Sequence, residues 1–370
     1  VAKVAKHFGI NGEHFLIDAA CASSIVALEM ALQRLKLYQS DLVIAGGIES
    51  NLGFGSYVAF STVGALAKKD SLPFDERSTG IVQGEGTVLF ALKRLEDAVR
   101  DGDHIHGVIK SVAGSSDGRS ASLFQPNANG QEVVYKKIYG DSRDLCYLEA
   151  HGTGTQVGDK TEMESITSFF AGKRFPVGTA KAVVGHTKGT AGAVGVLKSL
   201  FILKEKVIPA SAYIEQSVFK GEGPYINSET TPIDTSRPAR IGVNAFGFGG
   251  TNYHLLLEEW NPGASINVMP KTEKQPIVSV AEATVDLESF SSDGFLDNGF
   301  PFRLPPNAVD ATDEVQLAGL LASWKCIQTL GKRWNFIDKQ KVNVVSACTL
   351  FLDDIDGSMH RMAYEIFSKT

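Results

Sequence analysis

The chain has 370 residues, enough to bury a large core, and its 43% hydrophobic and 21% charged residues are ordinary for a soluble globular enzyme. A formal net charge of -6 argues against nucleic acid as the main partner, since such proteins usually carry a basic stripe, and no run reaches the roughly 18 apolar residues of a membrane span. The four cysteines (Cys21, Cys146, Cys326, Cys348) form no C-x-x-C pair, which argues against a zinc knuckle or disulfide framework and for a reducing, cytoplasmic setting.

Val1 is not an initiator methionine, and V-A-K-V-A-K-H-F-G-I is neither a signal nor a transit peptide, so the chain reads as starting inside a domain. Residues 17–35 place Cys21 where an apolar run gives way to a helix. Ile25, Leu28, Ala31, Leu32 and Leu35 recur at helical spacing, with Glu29, Gln33 and Arg34 opposite them. A thiol there sits beside the unpaired N–H groups of a helix start, whose partial positive charge favours thiolate. Ala19, Ala20, Ala22, Ser23 and Ser24 leave room for a substrate. A lone cysteine before a helix is more often inert core, so its meaning depends on the rest of the chain.

Residues 41–49 read as a buried strand, 51–62 as a Gly- and aromatic-rich loop, 87–92 as a second buried strand, 96–100 as helical and 106–112 as a strand. Residues 115–118 form a turn and 130–139 have helical spacing. A strand over 145–150 delivers His151, a helix follows over 161–170, a strand over 180–184 delivers His186, and 191–204 is a long apolar-faced helix. Residues 239–243 run into a glycine loop at 247–250, and 253–258 close with a strand. This alternation predicts an α/β layered domain with much of its sheet buried on both faces. Residues 261–275 read as a linker; beyond it 277–280 and 341–347 have strand patterns, and 314–330 that of an amphipathic helix.

Reactive chemistry collects in loops that follow strands: the turn at Cys21, E-A-H-G-T-G-T-Q-V-G-D around His151, and K-A-V-V-G-H-T-K-G-T-A-G around His186. A fourth, N-A-F-G-F-G-G-T-N over 244–252, is glycine-rich but lacks a following Lys-Ser/Thr, so it is no phosphate-cradling P-loop. Ligands of α/β sheets gather at the carboxyl ends of strands, where all four loops would lie. His7, His14, His104, His106, His254 and His360 are read as structural; two histidines flanked by glycines at strand ends are harder to dismiss. A His₂Cys zinc site is the metal alternative, disfavoured because nothing obvious supplies a fourth ligand or a partner behind the imidazoles.

Five segments in order, D-A-A-C-A-S-S, P-F-D-E-R-S-T-G-I-V-Q-G-E-G, E-A-H-G-T-G-T-Q-V-G-D-K-T-E, K-A-V-V-G-H-T-K-G-T-A-G and N-A-F-G-F-G-G-T-N, resemble the β-ketoacyl synthase (ketosynthase) family of fatty acid and polyketide synthases. The resemblance covers residues 1–260 and implies a thiolase-like α-β-α-β-α layered fold. It implies decarboxylative Claisen condensation, with no metal or redox cofactor. Cys21 would take an acyl chain from a carrier-protein thioester. His151 and His186 would assist decarboxylation of a malonyl extender and stabilise the enolate, charge that appears only in the transition state. Lys181 would tune His186. The backbone N–H groups of Cys21 and Phe248 would form the oxyanion hole, with Gly249 among the glycines that permit the approach. Thr153 and Thr155 match positions that hydrogen-bond the phosphopantetheine arm, and Phe246 and Phe248 would line or gate the acyl channel. Asp159 and Glu162 read as loop-fixing acids rather than proton carriers. The implied partners are an acyl carrier protein and a second ketosynthase-like domain in a dimer or pseudo-dimer.

Ala19 stands where the family often has Thr, and Lys181 is followed by Ala-Val-Val where Ser-Asn-Ile is common, which removes one polar contact near His186. The family's N-terminal strands and helices are not in the sequence, so the fold is expected to be incomplete there. F-P-F-R-L-P-P-N at 300–307 and D-E-V-Q-L at 313–317 resemble the early part of another ketosynthase-like domain, so 276–370 is expected to begin a chain-length-factor-like domain, as in polyunsaturated fatty acid synthases. Three rivals remain. A thiolase would recruit a second active-site cysteine, and neither Cys146 nor Cys348 sits in a matching motif. A silent chain-length factor would lose the nucleophile. A decarboxylase-only loading domain would keep the His pair without Cys21.

Overall fold

The computed structural model describes residues 1–118, 125–140, 142–263 and 314–336. The chain divides into two compact units, Val1–Thr272 and Glu273–Thr370. In the first, the elements run α1 (Ala2–Phe8), α2 (Ser23–Lys36), β1 (Val43–Glu49), α3 (Phe54–Thr62), β2 (Gly86–Leu92), α4 (Leu95–Asp101), β3 (Val108–Ser116) and α5 (Ala128–Ile138). They continue with β4 (Tyr147–Glu149), α6 (Gln156–Phe169), β5 (Pro176–Gly178), α7 (Lys181–Val184), α8 (Ala191–Glu205), β6 (Val207–Ile208), β7 (Tyr225–Ile226), β8 (Thr231–Pro232), β9 (Arg240–Gly247) and β10 (Thr251–Glu258).

Six strands form the main sheet in the order β3-β10-β9-β4-β5-β7. The β3–β10 and β10–β9 pairs are antiparallel; β9–β4, β4–β5 and β5–β7 are parallel. Strand alternation splits its apolar residues between two cores. Leu255 and Leu257 of β10 and Tyr147 of β4 face one core with Ile25 and Leu28 of α2 and Val196 of α8. Leu256 and Leu148 face the other with Tyr135 of α5 and Ile166 of α6. The β1–β2 pair is antiparallel, and Ala45, Val43, Phe90 and Leu92 add it to the α2/α8 core as a further layer. Its far side carries Ile44, Ile48 and Leu89, each more than half exposed. This is a mixed α/β layering, as the resemblance implies.

Four expectations are corrected. The strands expected to be buried at 41–49 and 87–92 pair with each other and leave one face open. Residues 115 and 116, expected in a turn, end β3 opposite Asn252 and Thr251. Residues 51–62 include the helix α3 and are not wholly loop. None of its residues is fully buried, and its β-branched and glycine content gave no amphipathic stripe to read. Residues 180–184 are not a strand: β5 ends at Gly178, and the next residues close the short helix α7, with Val183 and Val184 donating to the Ala180 carbonyl. The A-V-V run suggested a strand, yet Val183 is 73% exposed, so the run does not serve a core. In the second unit the helix α9 (Glu314–Leu330) stands where its periodicity predicted it. The strand patterns at 277–280 and 341–347 lie outside the described residues.

Candidate active site

Cys21 sits on a turn braced from both ends. Ala20 holds φ 49°, a left-handed conformation that costs a non-glycine residue about 1–2 kcal/mol. The Ser23 hydroxyl offsets that strain by accepting from the Ala19 N–H (2.8 Å) and donating to the Ala20 carbonyl (2.6 Å). Gly247, at the end of β9, lies against the same turn: a Cβ there would stand 2.6 Å from the Ala19 carbonyl and 3.4 Å from the Cys21 nitrogen. Ser24 ties α2 to α8 by accepting from the Ala193 N–H at 3.0 Å. Two helix starts, one after Cys21 and one after His186, are thereby locked together.

The loop after β4 carries His151. Buried Glu162 of α6 accepts from the His151 and Gly152 N–H groups, both at 2.7 Å, and Asp159 accepts from Phe74 (2.6 Å) and Gly154 (3.1 Å). Both acids therefore hold backbone, as the sequence implied. The P-F-D-E-R-S-T-G motif braces this loop through Phe74, and through Ser78, whose hydroxyl donates to the Gly154 carbonyl. His186 is pinned to residues 82–84, donating its N–H to the Val82 carbonyl (2.7 Å) and accepting from Gly84 (3.0 Å).

The fold brings Cys21, His151 and His186 together: one ligand-type atom of each lies within 4.8 Å of the others. The two imidazoles are T-shaped at 5.4 Å, and Phe246 packs 5.7 Å from His151. The backbone N–H groups of Phe248 and of Cys21 itself both reach the thiol. Lys181, 6% exposed, donates to the His151 carbonyl at 2.5 Å, so its direct contact is with His151; it acts on His186 through its charge. Thr153 and Thr155 lie on a half-buried rim, their hydroxyls 3.0 Å apart, with Thr155 capping α6. Phe248 is 38% exposed and meets Phe60 of α3 at 6.0 Å. Gly249 turns the β9–β10 hairpin at φ 94°.

The protonation states differ from the sequence reading at one point. A helix start favours thiolate, but burial dominates here and pushes the Cys21 thiol up to about 11, against the pull of Lys181, the two backbone N–H groups and Lys188. The resting sulfur keeps its proton. Burial also holds both imidazoles well below the usual histidine range, reinforced at His151 by Lys181 and His186, and at His186 by Lys181 and Lys188. Both rings are neutral near pH 7.

His186 Nδ1 accepts the Lys188 N–H at 3.0 Å, so its proton sits on Nε2, and that buried nitrogen has no partner among the described residues. This bears on the metal alternative. A zinc-bound imidazole gives its second N–H to an acceptor, whereas His186 receives an N–H there. Zinc on Nε2 would force two N–H groups together. The donor set does not suit the ion.

Sequence reasoning passed over the bracing serines, Gly247 and Lys188. Ser-Ser behind Cys21 was a usable sign, since serine hydroxyls at helix starts take up free backbone groups. Lys188 offered none, because its role rests on a backbone N–H that the turn at Thr187 folds back onto the ring.

The sequence matches the family models described as Beta-ketoacyl synthase, N-terminal domain, over residues 1–98, and Beta-ketoacyl synthase, C-terminal domain, over residues 106–215. Over 303 residues it is 34% identical to a polyunsaturated fatty acid synthase subunit from Thraustochytrium sp. (strain ATCC 26185 / S-3), a match covering 76% of this chain and 11% of that protein. Among solved structures it is similar to the ketosynthase from module 6 of the bacillaene synthase from Bacillus subtilis 168, with 33% identity, a TM-score of 0.68, and coverage of 70% of this chain and 50% of that one. It is also similar to the PfaC keto synthase–chain length factor, with 30% identity, a TM-score of 0.66, and coverage of 85% and 36%. The N-terminal match contains Cys21 and the C-terminal match contains both histidines, and the chain belongs to the β-ketoacyl synthase family of acyl-condensing transferases of fatty acid and polyketide synthesis.

Proposed function

We propose that this domain condenses an acyl group held on Cys21 with a malonyl extender, both delivered on the phosphopantetheine arm of an acyl carrier protein. The Cys21 sulfur attacks the incoming thioester, an S–acyl bond forms, and the carrier thiol leaves with the proton. The malonyl C–CO₂⁻ bond then breaks, CO₂ departs, and its electron pair becomes the enolate. The enolate carbon attacks the acyl-Cys21 carbonyl, the new C–C bond closes, and the sulfur leaves as thiolate, which takes a proton from solvent to restore the resting thiol. The His186 Nε2–H and the His151 ring would face the enolate oxygen, and the N–H groups of Cys21 and Phe248 the tetrahedral oxyanion. Preorganised donors in a buried site act most strongly on charge that develops during reaction.

The observation that carries this reading is the cluster itself: a thiol and two neutral imidazoles converge within 4.8 Å, and His186 presents a donor with no partner among the described residues. A silent partner domain has no need of that thiol. A thiolase would want a second one nearby, but Cys146 precedes β4, at the end opposite His151, with its Sγ donating to the Arg240 carbonyl at 3.1 Å. Thr153 and Thr155 fit the entrance for the carrier arm, and Phe246 and Phe248 the acyl side. Residues 276–370 are proposed as the start of a second, chain-length-factor-like domain, on the resemblance of 300–307 and 313–317 to the early part of a ketosynthase-like domain. No helix of the described residues is long and apolar enough to cross a membrane.

The test is peptide mass spectrometry of the full-length protein after incubation with acyl thioesters of several chain lengths, wild type against Cys21→Ala. An acyl adduct on the Cys21 peptide, absent from the variant, is expected. A folded wild type that takes no adduct would reduce Cys21 to a packed core thiol.

A further inference from the structure

His254 is wholly buried on β10, directly opposite Asn244 of β9. The neighbouring strand makes room for its ring. A Cβ at Gly242 would lie 2.7 Å from the His254 Cε1 and 3.0 Å from its Nε2. Tyr135 and Tyr139 of the α5 segment close over the ring at 5.1 and 5.4 Å.

The hydrogen bonds around it run in one direction. Asn244 Nδ2 lies 2.7 Å from a Glu162 carboxylate oxygen, which accepts, so the amide oxygen is the atom turned to His254. That oxygen, 2.6 Å from Nδ1, also only accepts, so the imidazole proton is on Nδ1. Nε2 is left to accept the Tyr139 hydroxyl at 2.8 Å. Glu162 in turn accepts the His151 and Gly152 N–H groups. An unbroken chain therefore runs from Tyr139 through His254, Asn244 and Glu162 to the backbone of His151, every link buried. A buried carboxylate with a missing donor must shift or take up a proton, so each link constrains the next.

We infer that His254 is a positioning residue for His151. Through Asn244 it fixes the Glu162 carboxylate that holds the backbone at His151 and Gly152. It thereby sets where the His151 ring stands against the acyl-Cys21 thioester. This rests on the role proposed above for His151 in the decarboxylative half of the cycle. It separates the two half-reactions: acylation of Cys21 depends on the nucleophile turn, whereas condensation depends on this chain.

The experiment reads both rates in the full-length protein: acyl adduct formation on the Cys21 peptide, and condensation of the acylated enzyme with a malonyl thioester on the carrier protein. His254→Phe keeps an aromatic ring in the Gly242 space and removes both nitrogens. Its acylation is expected to stay within about twofold of wild type while condensation falls about tenfold or more. Asn244→Asp keeps the shape and sets a second carboxylate against Glu162, which already faces Asp159 and Lys181. Its condensation, taken relative to wild type at the same pH, is expected to be about tenfold low at pH 8 and to recover toward pH 6, as the added carboxylate shares a proton with Glu162. If His254→Phe condenses at the wild-type rate, or loses both rates in equal proportion, the ring is packing alone and the inference fails. Should His254→Phe not fold, the Asn244→Asp profile decides, and a wild-type profile overturns the inference. A wild type that forms no Cys21 adduct would defeat the function proposed above instead.

Discussion

The backbone N–H of Lys188 points back onto Nδ1 of His186, two residues earlier, at 3.0 Å. The backbone at Thr187, φ -82° and ψ 28°, folds the chain back so that this N–H reaches the ring. A backbone donor cannot change its protonation, so this bond fixes the tautomer of the ring more firmly than a titrating side chain would. Lys188 also anchors its own side chain away from the ring, donating to the Asn51 carbonyl at 2.8 Å and facing Glu49 at 3.5 Å. His186 is built as a hydrogen-bond donor.

The first prediction separates a donor from a base. His186→Ala is expected to slow condensation by about 10²–10³, the usual effect of removing one preorganised oxyanion donor. His186→Gln, whose amide nitrogen can stand near the Nε2 position, is expected to recover part of that loss. Single-turnover condensation on pre-acylated enzyme checks it. A Gln variant no faster than the Ala variant would mean that His186 works by taking a proton.

Lys181 is the charge that acts most strongly on the cluster. It pulls the Cys21 thiol down and holds both imidazoles down. Lys181→Met keeps the stem and removes the charge, so the thiol should titrate higher and the two imidazoles move up toward the ordinary histidine value. Iodoacetamide alkylation of Cys21 at fixed pH is expected to slow about threefold for each unit the thiol rises, the loss of thiolate being partly offset by its greater nucleophilicity. In the same variant the acid limb of the condensation profile should move to higher pH. A variant alkylated at the wild-type rate would show that the ammonium serves only the His151 carbonyl.

The nucleophile turn depends on the missing side chain of Gly247. Gly247→Ala sets a methyl 2.6 Å from the Ala19 carbonyl, and backbone cannot yield as a flexible side chain can. The expected result is about 1–3 kcal/mol of lost stability, the usual effect of overpacking, with Cys21 acylation falling further than the melting shift explains. Ser23→Ala, which frees the Ala19 N–H and the Ala20 carbonyl, should act in the same direction without adding bulk. Acylation that stays at the wild-type rate in both variants would show that the turn holds its shape unaided.

Much of this was legible because each chemical residue lies in a short, distinctive run. Cys21, His151 and His186 stood out by their glycine-rich and small-residue surroundings, and the strand–helix alternation marked β4, β9, α5 and α8 by pattern alone. The sequence misled where a segment has no core to face. Val183 and Val184 look like strand residues but point outward from a short helix, and α3 buries nothing fully. It misled also on charge state: a helix start says thiolate, yet the depth of burial, which no local pattern encodes, outweighs it at Cys21. His254 was read as structural because its partners, Asn244 excepted, come from distant segments. Such a chain of contacts becomes visible only once β9, β10, α5 and α6 are stacked.

Asp159 supplies a prediction about stability and pH. Its carboxylate is 2% exposed, and burial, with the Glu162 charge beside it, pushes it up to about 7 despite the N–H groups of Phe74 and Gly154 that favour the ionised form. In the unfolded chain it titrates at its ordinary value of 3.8. The folded state therefore keeps a proton that the unfolded state has lost between those two values. The stability it contributes is full below the unfolded value and falls by about 1.4 kcal/mol per pH unit across that window, levelling off above the folded value. Glu162 is raised in the same direction, whereas the depressed imidazoles of His151, His186 and His254 work the opposite way up to the ordinary histidine value, so the variant comparison, not the whole-protein slope, reads Asp159. Asp159→Asn isolates its share. The variant is expected to be less stable than wild type at pH 5, because its amide turns an N–H toward a backbone N–H, and the gap should narrow by pH 8. Denaturant unfolding at several pH values between 5 and 8 measures the difference; two parallel curves would show that Asp159 is ionised throughout and holds its loop as an ordinary carboxylate.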